Sequence, residues 1–194
     1  MKLLYVCSAG ARRSPCFAAY SMHYLGNYNL PDLMVGYAGM SKEKLDRDEQ
    51  LRQKRLKECL HAHNGGYAES VEVLRGSHTN IHPRIGIILL EQSITGFLDH
   101  NAQVASSDST GNSNLILSVS VDIRDKLYKI SPHNSIYTVK EFLGFPGNDL
   151  DIPDAKYFLP TFSHRIKKDR ELCDLIRELS TQVLQKISKE GFPS

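Results

Sequence analysis

An apolar run, Leu3-Leu4-Tyr5-Val6, leads directly into Cys7-Ser8-Ala9-Gly10-Ala11-Arg12-Arg13-Ser14, and this junction constrains the chain more than any other stretch. The run predicts a short buried strand, and Ser14-Pro15 followed by Cys16, Phe17, Ala18, Ala19 and Tyr20 predicts a helix start. A loop between a strand end and a helix N-terminus turns backbone N–H groups inward, and the helix dipole adds partial positive charge. A tetrahedral dianion can therefore sit at its centre. Cys7 would lie beneath the phosphorus, Ser14 could donate its hydroxyl proton to the sulfur, and Arg13 would offer a planar fork to two phosphoryl oxygens. The helix terminus and nearby cations favour the thiolate that a nucleophilic cysteine needs. The competing interpretation of the same spacing is a buried cysteine ending a strand and a solvated arginine; the strand before and the Ser-Pro start after weigh against it.

Downstream, Met34–Ala38 ending at Gly39 predicts a second strand, and the densely charged Ser41–His61 a solvated surface helix. His63-Asn64-Gly65-Gly66 breaks that helix; Val71–Leu74 reads as a third strand or a loop edge, and Ile85–Leu98 as a helix. Ser106–Asn114, polar and without apolar anchors, reads as a loop. Leu115–Val119 is the clearest internal strand, Val121–Ile130 a helix closed by Ser131-Pro132, Ile136–Val139 a short strand, and His164–Ile187 an amphipathic C-terminal helix. Strands alternating with helices predict an α/β fold: a single-domain open parallel sheet with helices on both faces and a phosphate-binding loop after the first strand. Ligands in such sheets bind at the carboxyl ends of strands, which is where Cys7 falls.

The formal charge of +2 argues against a dedicated nucleic-acid surface. The stretch before Cys7 is too short for the apolar core of a signal peptide, and no apolar run is long enough to span a bilayer. A cytoplasmic protein without a membrane partner is expected. Cys7, Cys16, Cys59 and Cys173 form no C-x-x-C pair, so neither a zinc site nor a disulfide framework is signalled, and a reduced compartment suits a working thiolate.

Attack by a thiolate on a phosphomonoester expels an oxyanion, so an efficient catalyst needs an acid for the leaving oxygen. Asn148-Asp149-Leu150-Asp151-Ile152-Pro153-Asp154, after the last strand, holds three candidate aspartates, for which turn formation is the competing role.

Two separated motifs resemble the low-molecular-weight protein tyrosine phosphatases. That family's C-x-G-N-x-C-R-S-P pattern is matched by Cys7–Pro15, and its late D-I-P-D-P motif by Asp151-Ile152-Pro153-Asp154-Ala155. Asn114-Leu115-Ile116-Leu117 looks like its D-L-I-L strand, Thr138–Phe142 resembles the segment that follows, and Ala38-Gly39 looks like part of its S-A-G turn. The resemblance covers most of residues 1–194, with a family-atypical insertion expected around 65–112. It implies a metal-free, cofactor-free hydrolysis in which Cys7 attacks phosphorus and Arg13 and the residues Ser8, Ala9, Gly10, Ala11, Arg12 and Ser14 hold the phosphate. It also selects Asp154 as the acid. The implied partner is a phosphorylated protein or a small phosphomonoester, with phosphotyrosine the leading class and the oligomeric state open.

The departures from the family are specific. Ala9 and Gly10 replace its glycine and asparagine, Arg12 replaces its second loop cysteine, and Ala11 matches neither the threonine of its arginine phosphatases nor the larger apolar residue of its tyrosine phosphatases. Asp154-Ala155-Lys156-Tyr157 lacks one aromatic wall of a phosphotyrosine slot, which Tyr157 could supply, and His78 is the candidate for a histidine that buttresses the loop. Two alternatives stand beside this reading: an arsenate reductase on the same fold, which needs resolving cysteines near the loop, and a phosphate-binding module without turnover.

Overall fold

The computed structural model describes residues 1–62, 66–132, 135–147, 149–154 and 161–193. β1 (Lys2–Cys7) is buried from Leu3 onward, as a strand covered on both faces must be, and so carries no polar alternation. α1 (Arg13–Tyr24) and a 3-10 turn (Leu25–Tyr28) lead to β2 (Met34–Gly39). Three helices follow, α2 (Lys42–His61), α3 (Ala68–Gly76) and α4 (Pro83–Glu91). The short β3 (Gln103–Val104) and α5 (Ser107–Gly111) precede β4 (Leu115–Ser118) and α6 (Val121–Ile130). β5 (Ser135–Thr138), α7 (Val139–Phe142) and α8 (Phe162–Glu190) complete the chain.

Among the described residues the five strands are all parallel, in the order β3-β2-β1-β4-β5. The expected open parallel sheet is the one observed. The chain runs outward from β1 to β2 on one side and from β4 to β5 on the other, so with right-handed crossovers α1 and α6 fall on opposite faces. The crevice left at this reversal opens at the carboxyl end of β1, where Cys7 stands.

α1 buries Cys16, Phe17, Ala18, Ala19 and Tyr20 completely, and Phe17 stacks on Tyr5 of β1 with ring centroids 5.0 Å apart. α8 packs along α1 and also reaches α4, where Arg84 Nε donates to Asp169 Oδ2 at 2.7 Å with both side chains almost wholly buried. Among the described residues no helix is long and apolar enough to cross a membrane.

Several local expectations are corrected. Val71–Leu74 is neither strand nor loop edge but part of α3: Val71 and Leu74, three positions apart, are both buried, with exposed Glu72 and Val73 between them. The helix expected over Ile85–Leu98 ends at Glu91, because Ser93 takes a left-handed φ of 59° and the chain folds back so that Ile94 N donates to Leu89 O. Within the loop expected over Ser106–Asn114, Ser107–Gly111 is helical. Ser106 and Ser109 exchange side-chain and backbone hydrogen bonds as a capping box, and the buried Thr110 supplies the anchor.

The Arg84–Asp169 pair generates a stability prediction. Asp169→Ala leaves a buried guanidinium without its carboxylate and is expected to destabilise the fold by about 3–5 kcal/mol, read from urea unfolding. A loss below about 1 kcal/mol would show that the pair does not hold α4 against α8.

Candidate active site

The loop after β1 is fixed first by backbone bonds to the end of β2. Met40 N donates to Cys7 O at 2.9 Å and Ser41 N to Ser8 O at 3.1 Å, so the chain leaving β2 runs along the start of the loop. Gly39 permits this approach, since a Cβ there would fall 2.7 Å from Ala9 C and 2.8 Å from Ala9 O. Gly10 turns the loop back with a φ of 71°, a conformation that L side chains rarely adopt, and its N–H donates to Cys7 Sγ at 3.2 Å. Ser14 Oγ lies 3.0 Å from the same sulfur and 3.2 Å from Ala38 O, so its single proton can serve either acceptor.

The back of the loop is held by a histidine. His82 is 1% exposed and its N–H donates to Ala11 O at 2.7 Å. Arg12 Nη2 lies 2.9 Å from His82 Nε2, and a guanidinium can only donate, so this contact assigns the imidazole proton to Nδ1, which has no hydrogen-bond partner among the described residues. Burial, reinforced by the charges of Arg12, Arg84, Arg55 and Arg165, holds His82 well below the usual imidazole range. His78, expected in this role, is exposed; the histidine behind the loop is four residues later. The available signal was Pro83, which starts α4 and makes His82 the residue at its cap.

Arg13, the first residue of α1, is 9% exposed. Its Nη1 donates to Ile152 O at 2.9 Å and its Nη2 lies 3.5 Å from Asp154 Oδ2. The other two aspartates are engaged elsewhere. Asp151 Oδ1 accepts from Val121 N at 2.8 Å at the start of α6, and Asp149 pairs with Lys140 at 3.1 Å. Both therefore hold the segment in place, and the chain between them and Asp154 is tied down by Ile152 N donating to Val119 O at 2.8 Å.

Loop, helix and acidic segment together enclose a cleft of about 240 Å³, bounded by the loop from Cys7 to Arg13, by Lys44 and Asp48 of α2, and by Asp154. α2 thus supplies one wall of the cleft, although its charge pattern suggested a solvated face alone. Lys44 Nζ donates to Ser8 Oγ at 2.7 Å, and Asp48 pairs with Arg55 at 2.7 Å. Tyr157, the candidate aromatic wall, lies with Ala155 and Lys156 outside the described residues.

The remaining cysteines are buried: Cys16 and Cys173 meet with their sulfurs 3.6 Å apart between α1 and α8, and Cys59 is on the buried side of α2. Burial raises the Cys16 thiol well above its usual value and pushes Cys59 up to about 12, so neither is poised as a nucleophile. Among the described residues no group of three or more His, Cys, Asp or Glu side chains is placed to hold a metal ion.

No protein-family model matches this sequence, and no curated protein matches it in sequence. Solved structures do match its fold. YfkJ from Bacillus subtilis is 18% identical with a TM-score of 0.67, covering 98% of this chain and 96% of its own. A low-molecular-weight protein tyrosine phosphatase from T. tengcongensis is 19% identical with a TM-score of 0.60, covering 96% and 99%. Vibrio vulnificus Wzb in complex with benzylphosphonate is 19% identical with a TM-score of 0.61, covering 95% and 97%. The fold is thus the one adopted by low-molecular-weight protein tyrosine phosphatases.

The buried histidine predicts a pH dependence. An unfolded histidine takes up a proton near pH 6.5, whereas His82 stays neutral in the fold to lower pH, so its contribution to stability is present above about pH 6.5 and is lost as pH falls. Urea midpoints followed from about pH 7.5 to about pH 5 should decline less steeply in His82→Asn than in the parent; equal slopes would contradict this. Gly10→Ala, which places a Cβ 2.8 Å from Ala102 Cβ on a left-handed backbone, should cost about 1 kcal/mol or more and loosen oxyanion binding, measured by isothermal titration with phosphate. Unchanged affinity would show that the loop tolerates another path.

Proposed function

We propose that this chain is a cysteine-dependent phosphatase that hydrolyses phosphomonoesters through a phosphocysteine intermediate, with protein phosphotyrosine as the leading substrate class. The observation that carries the proposal is the convergence on one cleft of Cys7 Sγ, which accepts from Gly10 N and lies within donor range of Ser14 Oγ, with Arg13 and Asp154. The shared fold of phosphatases, one of them bound to benzylphosphonate, supports it.

In the first step the Cys7 thiolate attacks phosphorus opposite the ester oxygen, forming an S–P bond as the O–P bond breaks, and Asp154 gives its proton to the leaving oxygen. The sulfur's donors, Gly10 N–H and the Ser14 hydroxyl, stabilise the anion before attack. The amides from Ser8 to Arg13 and the Arg13 guanidinium hold the equatorial oxygens while charge shifts among them. In the second step Asp154, now a carboxylate, takes a proton from water as that water attacks phosphorus. The S–P bond breaks, and inorganic phosphate and the thiolate are released. The weak 3.5 Å contact between Asp154 and Arg13 suits this exchange, because a bound phosphate can replace the carboxylate on the guanidinium and free it for the leaving group.

The test is turnover of p-nitrophenyl phosphate. Cys7→Ser is expected to abolish it, and Asp154→Ala to lower kcat by roughly 10²-fold or more, with a larger loss on alkyl phosphates, whose leaving groups need the proton more. A parent protein without activity would remove the enzymatic reading, and an unaffected Asp154 variant would move the acid elsewhere.

A further inference from the structure

We propose that Lys44 is a specificity-determining residue that gives the cleft a second anion position, selecting phosphomonoesters that carry another negative charge beside the scissile phosphate. This rests on reading the loop as a phosphomonoester site. Loop amides and Arg13 suffice for one phosphoryl group, yet two further cations line the cleft: Arg12, whose Nη2 lies 2.9 Å from His82 Nε2, and Lys44 on the α2 wall. Lys44 occupies the first turn of α2, where positive charge opposes the helix dipole, so helix stability does not account for it. Its position is fixed by the bond from Ser41 N to Ser8 O and by the Ser41 side chain, which accepts from Lys44 N at 3.3 Å.

The charges around it leave this ammonium available. Its hydrogen bond goes to the neutral Ser8 hydroxyl, and among the described residues no carboxylate forms an ion pair with it. The two carboxylates of the cleft each have an arginine, Asp48 with Arg55 at 2.7 Å and Asp154 with Arg13 at 3.5 Å. A carboxylate or second phosphate displaced toward α2 from the loop-bound phosphate would therefore meet Lys44, while a neutral substituent there would meet a charged wall with nothing to offer it.

The test measures binding to the full chain carrying Cys7→Ser, so that the probes are not consumed. One probe pair is a phosphotyrosyl peptide with Asp or Asn following the phosphotyrosine; the other is phosphoglycerate against glycerol phosphate, which lacks the carboxylate. The acidic member of at least one pair should bind about threefold to fivefold more tightly at low salt, with the difference shrinking as salt rises. The pair that shows the preference identifies whether the second charge comes from a peptide or from a small ester. Lys44→Met should bring the ratio to about one, Lys44→Glu should invert it, and Lys44→Arg should preserve it. Ratios near one in both pairs, or a ratio that persists in Lys44→Met, would overturn the proposal. So would equal weakening of both members of a pair, the signature of a role confined to shaping the loop through Ser8. The phosphatase reading is judged separately by p-nitrophenyl phosphate turnover: a Lys44-dependent preference without turnover would remove that reading and leave the anion position standing.

Discussion

The hydrogen bond from Gly10 N–H to Cys7 Sγ is the closure on which the rest of the site depends. It exists because the chain reverses within three residues, which needs the left-handed backbone of Gly10, and because Gly39 lets the end of β2 come against Ala9. The closed loop runs directly into the N-terminus of α1, which begins at Arg13. The electrostatics follow from geometry: the Gly10 N–H, the Ser14 hydroxyl and the dipole of α1 favour negative charge at the sulfur.

Support for that closure arrives from three directions. From the front, Met40 and Ser41 bind the first two loop carbonyls and set α2 beside the cleft. From behind, His82 grips Ala11 through its backbone and meets Arg12 through its ring, and α4, which His82 precedes, is anchored to α8 by the buried Arg84–Asp169 pair. From the side, Arg13 ties the loop exit to the Ile152 carbonyl and thereby to the segment that presents Asp154. The side chains in the cleft thus belong to elements far apart in sequence, and the sheet reversal at β1 brings them together.

The strand, the loop and the first helix were legible because their signals are local: an unbroken apolar run, a cysteine and an arginine across a glycine, then Ser-Pro. β4 and α8 were legible for the same reason. α3 was not, since two buried positions in Val71–Leu74 are too few to establish a period. α5 escaped because its start is a serine capping box with no apolar stripe. The site divides in the same way. Cys7, Arg13 and Ser14 were candidates from the loop alone, whereas the role proposed for Asp154 came from resemblance, and only contacts show Asp149 and Asp151 occupied with Lys140 and α6. His82 and Lys44 were missed because what distinguishes them is a partner some seventy or thirty-six positions away, Arg12 for one and Ser8 for the other.

The proposed phosphocysteine intermediate gives the most direct test of the central claim. During steady-state turnover of p-nitrophenyl phosphate the protein is quenched in acid, digested and analysed by mass spectrometry. A phosphoryl group on the peptide containing Cys7, lost when Cys7 is alkylated beforehand, is the predicted result. Turnover that leaves Cys7 unmodified while another residue carries the phosphoryl group would contradict it.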